Sequence, residues 1–387
     1  MRTLTDIEVF ENVPIIVRAP LNEPVENGVV TDTYRLKRVV PTLRYLADRG
    51  ARVVVLSHVG EKGTETLAPI ADALGKLTPG VSFFPETVGE RARAAVRELP
   101  PGRILVMENL RRYAGETAND PAFAKELAAL GDIFIQDSFD TCHRMHASIV
   151  ALPTLVPSYA GLLLEQEVST LSAARTPAHP ALAVIGGAKF HSKEAVLAAL
   201  LGRYDQVFVG GALANDFLKA AGREVGKSLV SDADPVTVRH LIDDPKLMLP
   251  TDTLVIPATE ADALDARAHA RVAPATDVRP DEIILDQGPA TNAALAALAH
   301  KMKTILWNGP LGNYERGFVD GTDAFAQAVA ESTAHSVVGG GDTVASTEKL
   351  GLMARFSFVS TGGGAMLGFL AKGTLPGIEV LEAQASA

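Results

Sequence analysis

Two kinds of residue recur along the chain, and each carries its own chemistry. The first is a set of arginines and histidines. They follow short apolar runs in Arg18-Ala-Pro-Leu-Asn22, Ser57-His58-Val-Gly60, Glu108-Asn-Leu-Arg111-Arg112 and the stretch from Asp137 to His146, which holds Arg144. Thr33-Tyr-Arg35 opens a helical pattern between them. Arginine forks match the paired oxygens of carboxylates and phosphates, so several converging on one sheet edge would bind an oxyanion. A single arginine is more often a solvated surface charge. The repeat after four separate runs favours a site.

The second kind is glycine. Gly186-Gly187-Ala-Lys189, Gly210-Gly211-Ala212, Asn308-Gly-Pro310-Leu-Gly312 and Gly339-Gly340-Gly341-Asp342-Thr343 each follow an apolar run. The first, second and fourth lead toward a helix. Backbone N–H groups approach a phosphate closely where no Cβ intervenes, and a helix N-terminus adds partial positive charge. One Gly-Gly turn is ordinarily just a tight turn; several in one half of the chain point to a nucleotide. Lys189 and Lys193 straddle a helix start, where ammonium groups would meet transferring phosphates. Asp342 offers an oxygen ligand for Mg²⁺.

Three familiar patterns fail. Gly222-Arg-Glu-Val-Gly226-Lys227-Ser228 is one residue short of a P-loop and follows a helical stretch rather than a strand. The dinucleotide fingerprint Gly-x-Gly-x-x-Gly is absent after the first strand, which disfavours hydride transfer on NAD. Cys142, His143 and His146 lack a second ligand cluster, so structural or substrate-contacting histidines are favoured over zinc.

Short β-branched runs alternating with Ala- and Leu-rich helical stretches must position these groups. Strands are expected at Val13–Ala19, Arg52–Ser57, Arg103–Met107 and Asp132–Asp137. Further ones are expected at Ala181–Ile185, Gln206–Val209, Thr253–Pro257, Glu282–Asp286, Lys303–Trp307, Ser336–Gly339 and Phe356–Ser360. Helices are expected between most of them, as at Asp32–Arg49, Leu67–Lys76 and Pro121–Leu130. This alternation predicts an α/β fold with parallel sheets, whose ligands sit beyond the carboxyl ends of the strands. The punctuated stretches Pro153–Pro157 and Thr176–Pro180 flank a helical run, Ser158–Ala174. That divides the chain into a lobe over 1–156, a connecting helix and hinge over 157–176 and a lobe over 177–371.

Composition sets outer bounds. The chain has 387 residues, 47% of them hydrophobic and 21% charged, an ordinary globular balance. A net charge of -10 argues against non-specific nucleic-acid binding, which needs a basic surface. The single cysteine forbids an intrachain disulfide and fits a reducing compartment. No secretory signal is read at Met1–Phe10, and no apolar run approaches the ~20 residues that span a bilayer. A cytoplasmic location is expected.

In this order, the segments resemble the phosphoglycerate kinase family over essentially the whole chain. Thr31-Asp-Thr-Tyr-Arg35, Glu108-Asn-Leu-Arg111 and Thr141-Cys-His-Arg144-Met-His146-Ala-Ser148 look like its acid-binding lobe. Gly186-Gly-Ala-Lys189, Phe217-Leu-Lys219, Val225-Gly-Lys-Ser-Leu229, Asp286-Gln-Gly288-Pro289, Trp307-Asn-Gly-Pro310, Gly339-Gly-Gly-Asp342-Thr343 and Ser360-Thr-Gly-Gly-Gly364-Ala look like its nucleotide lobe and closing motif.

The resemblance implies two Rossmann-like lobes with parallel sheets joined by a connecting helix, with the tail from about 372 returning to the first lobe. It implies a monomeric phosphotransferase of glycolysis, bending at a hinge and acting on ATP or ADP with Mg²⁺, and 3-phosphoglycerate as the acid. Asn22, Arg35, His58, Arg111, Arg144 and His146 fall at acid-binding positions. Lys189, Lys193, Gly210, Gly211, Gly288, Asn308, Pro310, Glu315, Gly340, Gly341, Asp342 and Thr343 fall at nucleotide positions. Arg35, Lys189 and Gly341 are the expected catalytic groups, and Asp342 the expected Mg²⁺ ligand.

Departures concentrate in the site. Pro20 stands where the family has an aspartate that contacts the glycerate hydroxyl, and Glu61 where it has an arginine. Asp140 replaces a glycine, Ser192 an aspartate, and Met366 and Gly368 a serine and a glutamate. They leave two alternatives beside the main expectation: a kinase for another carboxylic acid, and a nucleotide-binding protein with little turnover.

Overall fold

The computed structural model describes residues 1–261, 263 and 265–385. The chain forms two compact units, Met1–Ser169 with the chain end from Thr374, and Thr170–Gly373. The division falls inside a helix, Leu162–Ala174, rather than at its ends.

In the first unit the strands are β1 (Pro14–Arg18), a short hairpin of β2 (Val25–Glu26) and β3 (Val29–Val30), β4 (Arg52–Leu56), β5 (Val81–Phe83), β6 (Ile104–Val106), β7 (Ile133–Gln136) and β8 (Ser158–Ala160). Apart from the hairpin they form one parallel sheet in the order β5-β6-β4-β1-β7-β8. Pro-Ile-Ile-Val-Arg and Arg-Val-Val-Val-Leu are near-continuous apolar runs because both faces of this sheet are covered. Ile15, Val17, Val53 and Val55 meet Leu36, Val39 and Leu43 of α1 (Tyr34–Ala47) and Ile70 of α2 (Ala68–Leu77). Ile16 and Val54 point the other way. They meet Ala92 and Val96 of α3 (Glu90–Glu98) and, beyond the one-turn α4 (Ala114–Thr117), Ala124 and Leu127 of α5 (Pro121–Ala128).

After α6 (Leu162–Ala174) the pattern repeats. The second unit contains β9 (Ala181–Ile185), β10 (Gln206–Val209), β11 (Leu247–Met248), β12 (Asp252–Pro257), β13 (Arg271–Pro274), β14 (Glu282–Gln287), β15 (Thr304–Asn308), β16 (His335–Gly339) and β17 (Phe358–Val359). Six of these form a parallel sheet, β11-β10-β9-β15-β16-β17. Its helices include α7 (Glu194–Leu201), α8 (Leu213–Ala220), α9 (Pro235–Ile242), α10 (Pro289–Ala299), α11 (Asp320–Glu331), α12 (Gly341–Lys349) and α13 (Gly363–Lys372). A last helix, α14 (Pro376–Ala385), belongs to the first unit; its Gly377 N–H donates to the Cys142 carbonyl.

One expectation is corrected. The runs at 253–257 and 282–286 lie in neither parallel sheet. They pair antiparallel as β12 and β14 in a separate three-stranded sheet with β13. The strand β13, Arg-Val-Ala-Pro, sits among short polar turns and shows no apolar run. Without it, β12 and β14 read like two more parallel strands. β5 and β8, three residues each, were also too short to show a periodicity.

Candidate active site

Parallel register brings the first unit's polar groups to one edge. Arg18 pairs with Leu56 of β4 and Gln136 of β7, so the segments that follow these strands leave the sheet at one level. Arg18 is enclosed at 1% exposure and ties three of them together. Its Nε donates to Ser148 Oγ (3.1 Å), its Nη1 to the Ala19 carbonyl (2.7 Å) and its Nη2 to His58 Nδ1 (3.0 Å). A guanidinium only donates, so His58 Nδ1 accepts and the ring proton is on Nε2. Sequence reasoning placed Arg18 at the strand end without seeing that it is the hub beneath the site.

The other acid-lobe residues join this edge through the loops. Arg35 Nη1 donates to the Asn22 carbonyl (2.7 Å). Asn22 Oδ1 accepts from the Gly60 N–H (3.0 Å), and Arg111 donates to the Gly60 carbonyl. Asn109 Oδ1 accepts from the Arg111 N–H (3.0 Å) and holds that turn in place. Glu116 lies beneath, accepting from Ser148 N–H (3.0 Å) and Oγ (2.6 Å), with His146 Nδ1 at 3.8 Å. The fold thus brings Asn22, Arg35, His58, Arg111, Arg144 and His146 together.

Desolvation and crowding set their charges. Burial, followed by Arg18, Arg111, Arg144 and His146, holds His58 well below the usual histidine range. Burial, followed by Arg144, Arg18 and Arg111, pushes His146 down to about 4. Both rings are neutral at pH 7, so the positive charge of this edge is arginine.

Register does the same in the second unit. Ile185 of β9 pairs with Val209 of β10 and Asn308 of β15, and Asn308 pairs with Gly339 of β16. All four glycine segments therefore leave the sheet at one level, around β9, where the strand order reverses. The approach is close: a Cβ at Gly186 would lie 2.1 Å from the Pro310 carbonyl oxygen. Gly340 caps α12 with φ 104°, a conformation that side chains resist, and delivers Gly341, Asp342 and Thr343 as the helix's first turn.

A cleft of about 530 Å³ opens beside this edge. Gly187, Gly211, Pro310 and Asp342 line one part, and Leu218, Leu229 and Ile284 form an apolar part. Asn313, Tyr314 and Glu315 lie along it, with Lys227 nearby. A hydrophobic slot leading to glycine turns and a helix N-terminus suits a nucleotide. Lys189 is exposed beside it, and the buried Lys193 brings its Nζ against Gly187. Desolvation, then Lys189, lowers the Lys193 ammonium below its usual value. Thr343 Oγ1 is buried with no hydrogen-bond partner, an acceptor and donor held at the start of α12. Burial, then the Glu315 charge, raises the Asp342 carboxyl. A hard divalent cation held by one carboxylate and completed by phosphate oxygens and water suits Asp342 at this helix start.

Some expected nucleotide residues stand behind the cleft rather than on it. Gly288 caps α10 against the Asp252 side chain. Gly210 packs on Leu311 and Phe208. Asn308 is enclosed, its Nδ2 donating to the Gly363 carbonyl (3.3 Å) and to Met366 Sδ (3.5 Å). These three shape the edge. Leu218 and Leu229 fall in segments the resemblance assigned to the nucleotide lobe, whereas Tyr314 and Ile284 were not singled out, since nothing in their spacing separates them from core.

The departures are placed as well. Pro20 is buried beside the Arg18 hub. Asp140 accepts from Ser138 Oγ (2.5 Å), and its charge bears on Arg18. Glu61 is exposed, and its charge bears on Arg111. Ser192 Oγ donates to the Lys189 carbonyl (3.0 Å), bracing that turn. Gly368 lies in α13, where nothing in the structure explains it.

Comparison with known proteins agrees with this geometry. The family profile described as phosphoglycerate kinase matches residues 4–373. A phosphoglycerate kinase of Thermus thermophilus is 42% identical, the alignment covering 99% of this chain and 100% of that one. One from Roseiflexus castenholzii is 40% identical, covering 98% of each. Among solved structures, phosphoglycerate kinase from Coxiella burnetii superposes with a TM-score of 0.82 at 38% identity, covering 99% of each chain. That from Pyrococcus horikoshii superposes with a TM-score of 0.88 at 30% identity, covering 100% of each. The two sheets with their ligand edges, and likeness along the whole length, lead to one conclusion: this chain belongs to the phosphoglycerate kinase family.

Proposed function

We propose that the chain catalyses reversible phosphoryl transfer between ATP and the carboxylate of 3-phosphoglycerate, giving ADP and 1,3-bisphosphoglycerate. One observation carries the reading. Each unit gathers its ligand groups at the carboxyl ends of a parallel sheet, arginines in one and glycine turns in the other. The alternatives, a kinase for another acid and a nucleotide-binding protein without turnover, are not favoured by relatives that match the full length.

The chemistry needs no general base. The acceptor carboxylate is ionised at neutral pH and is already a nucleophile, so catalysis consists of positioning and charge stabilisation. Asn22, Arg111 and Arg144 hold the acid, with the neutral His58 and His146 orienting hydrogen bonds among them. Arg35 supplies charge near the acceptor carboxylate. Lys189 and Lys193 supply charge to the phosphates, Gly341 and Thr343 donate at the start of α12, and Glu315 accepts from ribose hydroxyls. Asp342 would hold Mg²⁺, which neutralises charge on the phosphate oxygens. The chain is read as a cytoplasmic monomer without nucleic-acid or membrane partners. Its net charge of -10 argues against non-specific nucleic-acid binding, and no described helix is long and apolar enough to cross a membrane.

The test is an assay of purified protein with Mg-ATP against 3-phosphoglycerate and a panel of other acids. Turnover on 3-phosphoglycerate is expected. Turnover on another acid alone, or thermal stabilisation by Mg-ADP with no phosphorylated product, would overturn the proposal.

A further inference from the structure

Glu23 has no part in the reading so far, yet it sits directly behind Arg35. It lies in a loop between Asn22 and Pro24 and is nevertheless only 2% exposed. Its carboxylate spans the start of α1. Oε1 accepts from the Arg35 backbone N–H (2.6 Å), Oε2 accepts from Arg35 Nη1 (3.2 Å), and the Leu36 N–H also bonds to it. The same Nη1 reaches the Asn22 carbonyl at 2.7 Å. Thr33, at the N-cap position of α1, makes no side-chain bond to the helix. Glu23 therefore caps the helix from another segment and grips the guanidinium of a residue in its first turn.

We propose that Glu23 is a positioning residue for Arg35, holding its guanidinium at the edge of the acid face, and that this hold requires Glu23 to be ionised. The inference rests on the function proposed above, in which Arg35 supplies charge near the acceptor carboxylate. The physical grounds are geometric. An arginine loses several rotatable bonds when it is fixed, and a buried carboxylate persists only where its partners offset its lost hydration. Here one carboxylate fixes the backbone and the side chain of the same residue. The charged groups that bear on it are Arg35 and Asp32. Burial raises Glu23 to about 7, with Arg35 pulling it down and Asp32 pushing it up. Ionisation of Glu23 near neutrality would therefore make kcat rise with pH there.

The experiment compares Glu23→Gln, Arg35→Ala and the double variant in the full chain, assayed with Mg-ATP and 3-phosphoglycerate from pH 6 to 9. Gln keeps an oxygen for the helix amides and loses the charge; melting temperatures confirm that each variant folds. Glu23→Gln is expected to lower kcat about fivefold or more at high pH with the KM for ATP unchanged, and to lose the rising limb near neutrality. In the Arg35→Ala background the same change should have no further effect on kcat. An intact limb in Glu23→Gln, or an equal loss in both backgrounds, would overturn the proposal. A second readout is independent of turnover: ¹³C NMR of the glutamate carboxyls, with Glu23 assigned by its absence in Glu23→Gln. Its titration midpoint should rise in Arg35→Ala, and an unmoved midpoint overturns the coupling. If 3-phosphoglycerate were not turned over while the midpoint still moved, the functional reading would fall and the grip of Glu23 on Arg35 would stand.

Discussion

Lys189 and Arg35 stand on different units, and the proposed function has each supply positive charge to one reactant. Replacing either by alanine should lower kcat by more than about tenfold, since charge that acts on the transferring group is lost in the transition state. Steady-state kinetics check this, and near-normal rates in both variants would mean the roles are misassigned. Glu61 is the exposed departure whose charge reaches the arginine cluster, through Arg111. Because it is exposed, its effect is screened. Glu61→Arg should lower the KM for 3-phosphoglycerate by about two- to fivefold, more at low salt than at high. An unchanged KM at both ionic strengths would show that the position faces away from the acid.

At the scale of the element, two glycines at strand ends should respond in opposite ways. Gly186 lets the loop after β9 touch the loop after β15, and a methyl group there meets the Gly309 and Pro310 carbonyls. Gly186→Ala should destabilise the protein by about 1–3 kcal/mol through overpacking, seen in urea unfolding, and weaken Mg-ADP binding with it. Gly341 begins α12 with nothing within 4 Å of where a Cβ would stand. Gly341→Ala should leave stability unchanged or raise it by up to about 1 kcal/mol, because alanine restricts the unfolded chain. Its kcat should fall, because the phosphoryl group needs that space. A stable Gly341→Ala with full activity would remove this glycine from the catalytic set.

For the molecule as a whole, buried ionisable groups shape the dependence of stability on pH. Burial raises Asp137 and Asp286 to about 7. A carboxyl raised in the folded state binds its proton more tightly there than when unfolded. Its contribution is therefore present at low pH and is lost as pH climbs from about 4 to about 7. His58 is depressed, so its contribution has the opposite sense and is lost as pH falls below the ordinary histidine value. Asp137 Oδ1 accepts from the Leu163 and Leu164 N–H groups at the start of α6, a role that an asparagine oxygen also fills. Asp137→Asn should therefore gain stability relative to the parent by about 1–3 kcal/mol between pH 5 and pH 8. Urea titrations across that range test it, and a difference that stays flat would show that Asp137 is not protonated when folded.

Most of the strands, the glycine turns and the arginine-bearing loops were legible in the chain, because apolar runs bounded by polar or glycine punctuation are a local property. Local patterns do not record partners. The runs of β12 and β14 looked like parallel strands until β13 appeared between polar turns to pair with one of them. Arg18 looked like one more cleft arginine, and only packing made it an enclosed hub whose nitrogens face Ser148, Ala19 and His58. Glu23 read as a loop acid, and its grip on α1 depends on two segments 12 residues apart folding against each other. Residue type and spacing determine which chemistry is available. Which groups lose water, share a proton or brace a neighbour is set by tertiary contacts, because desolvation and hydrogen bonding depend on what lies within a few ångströms in space.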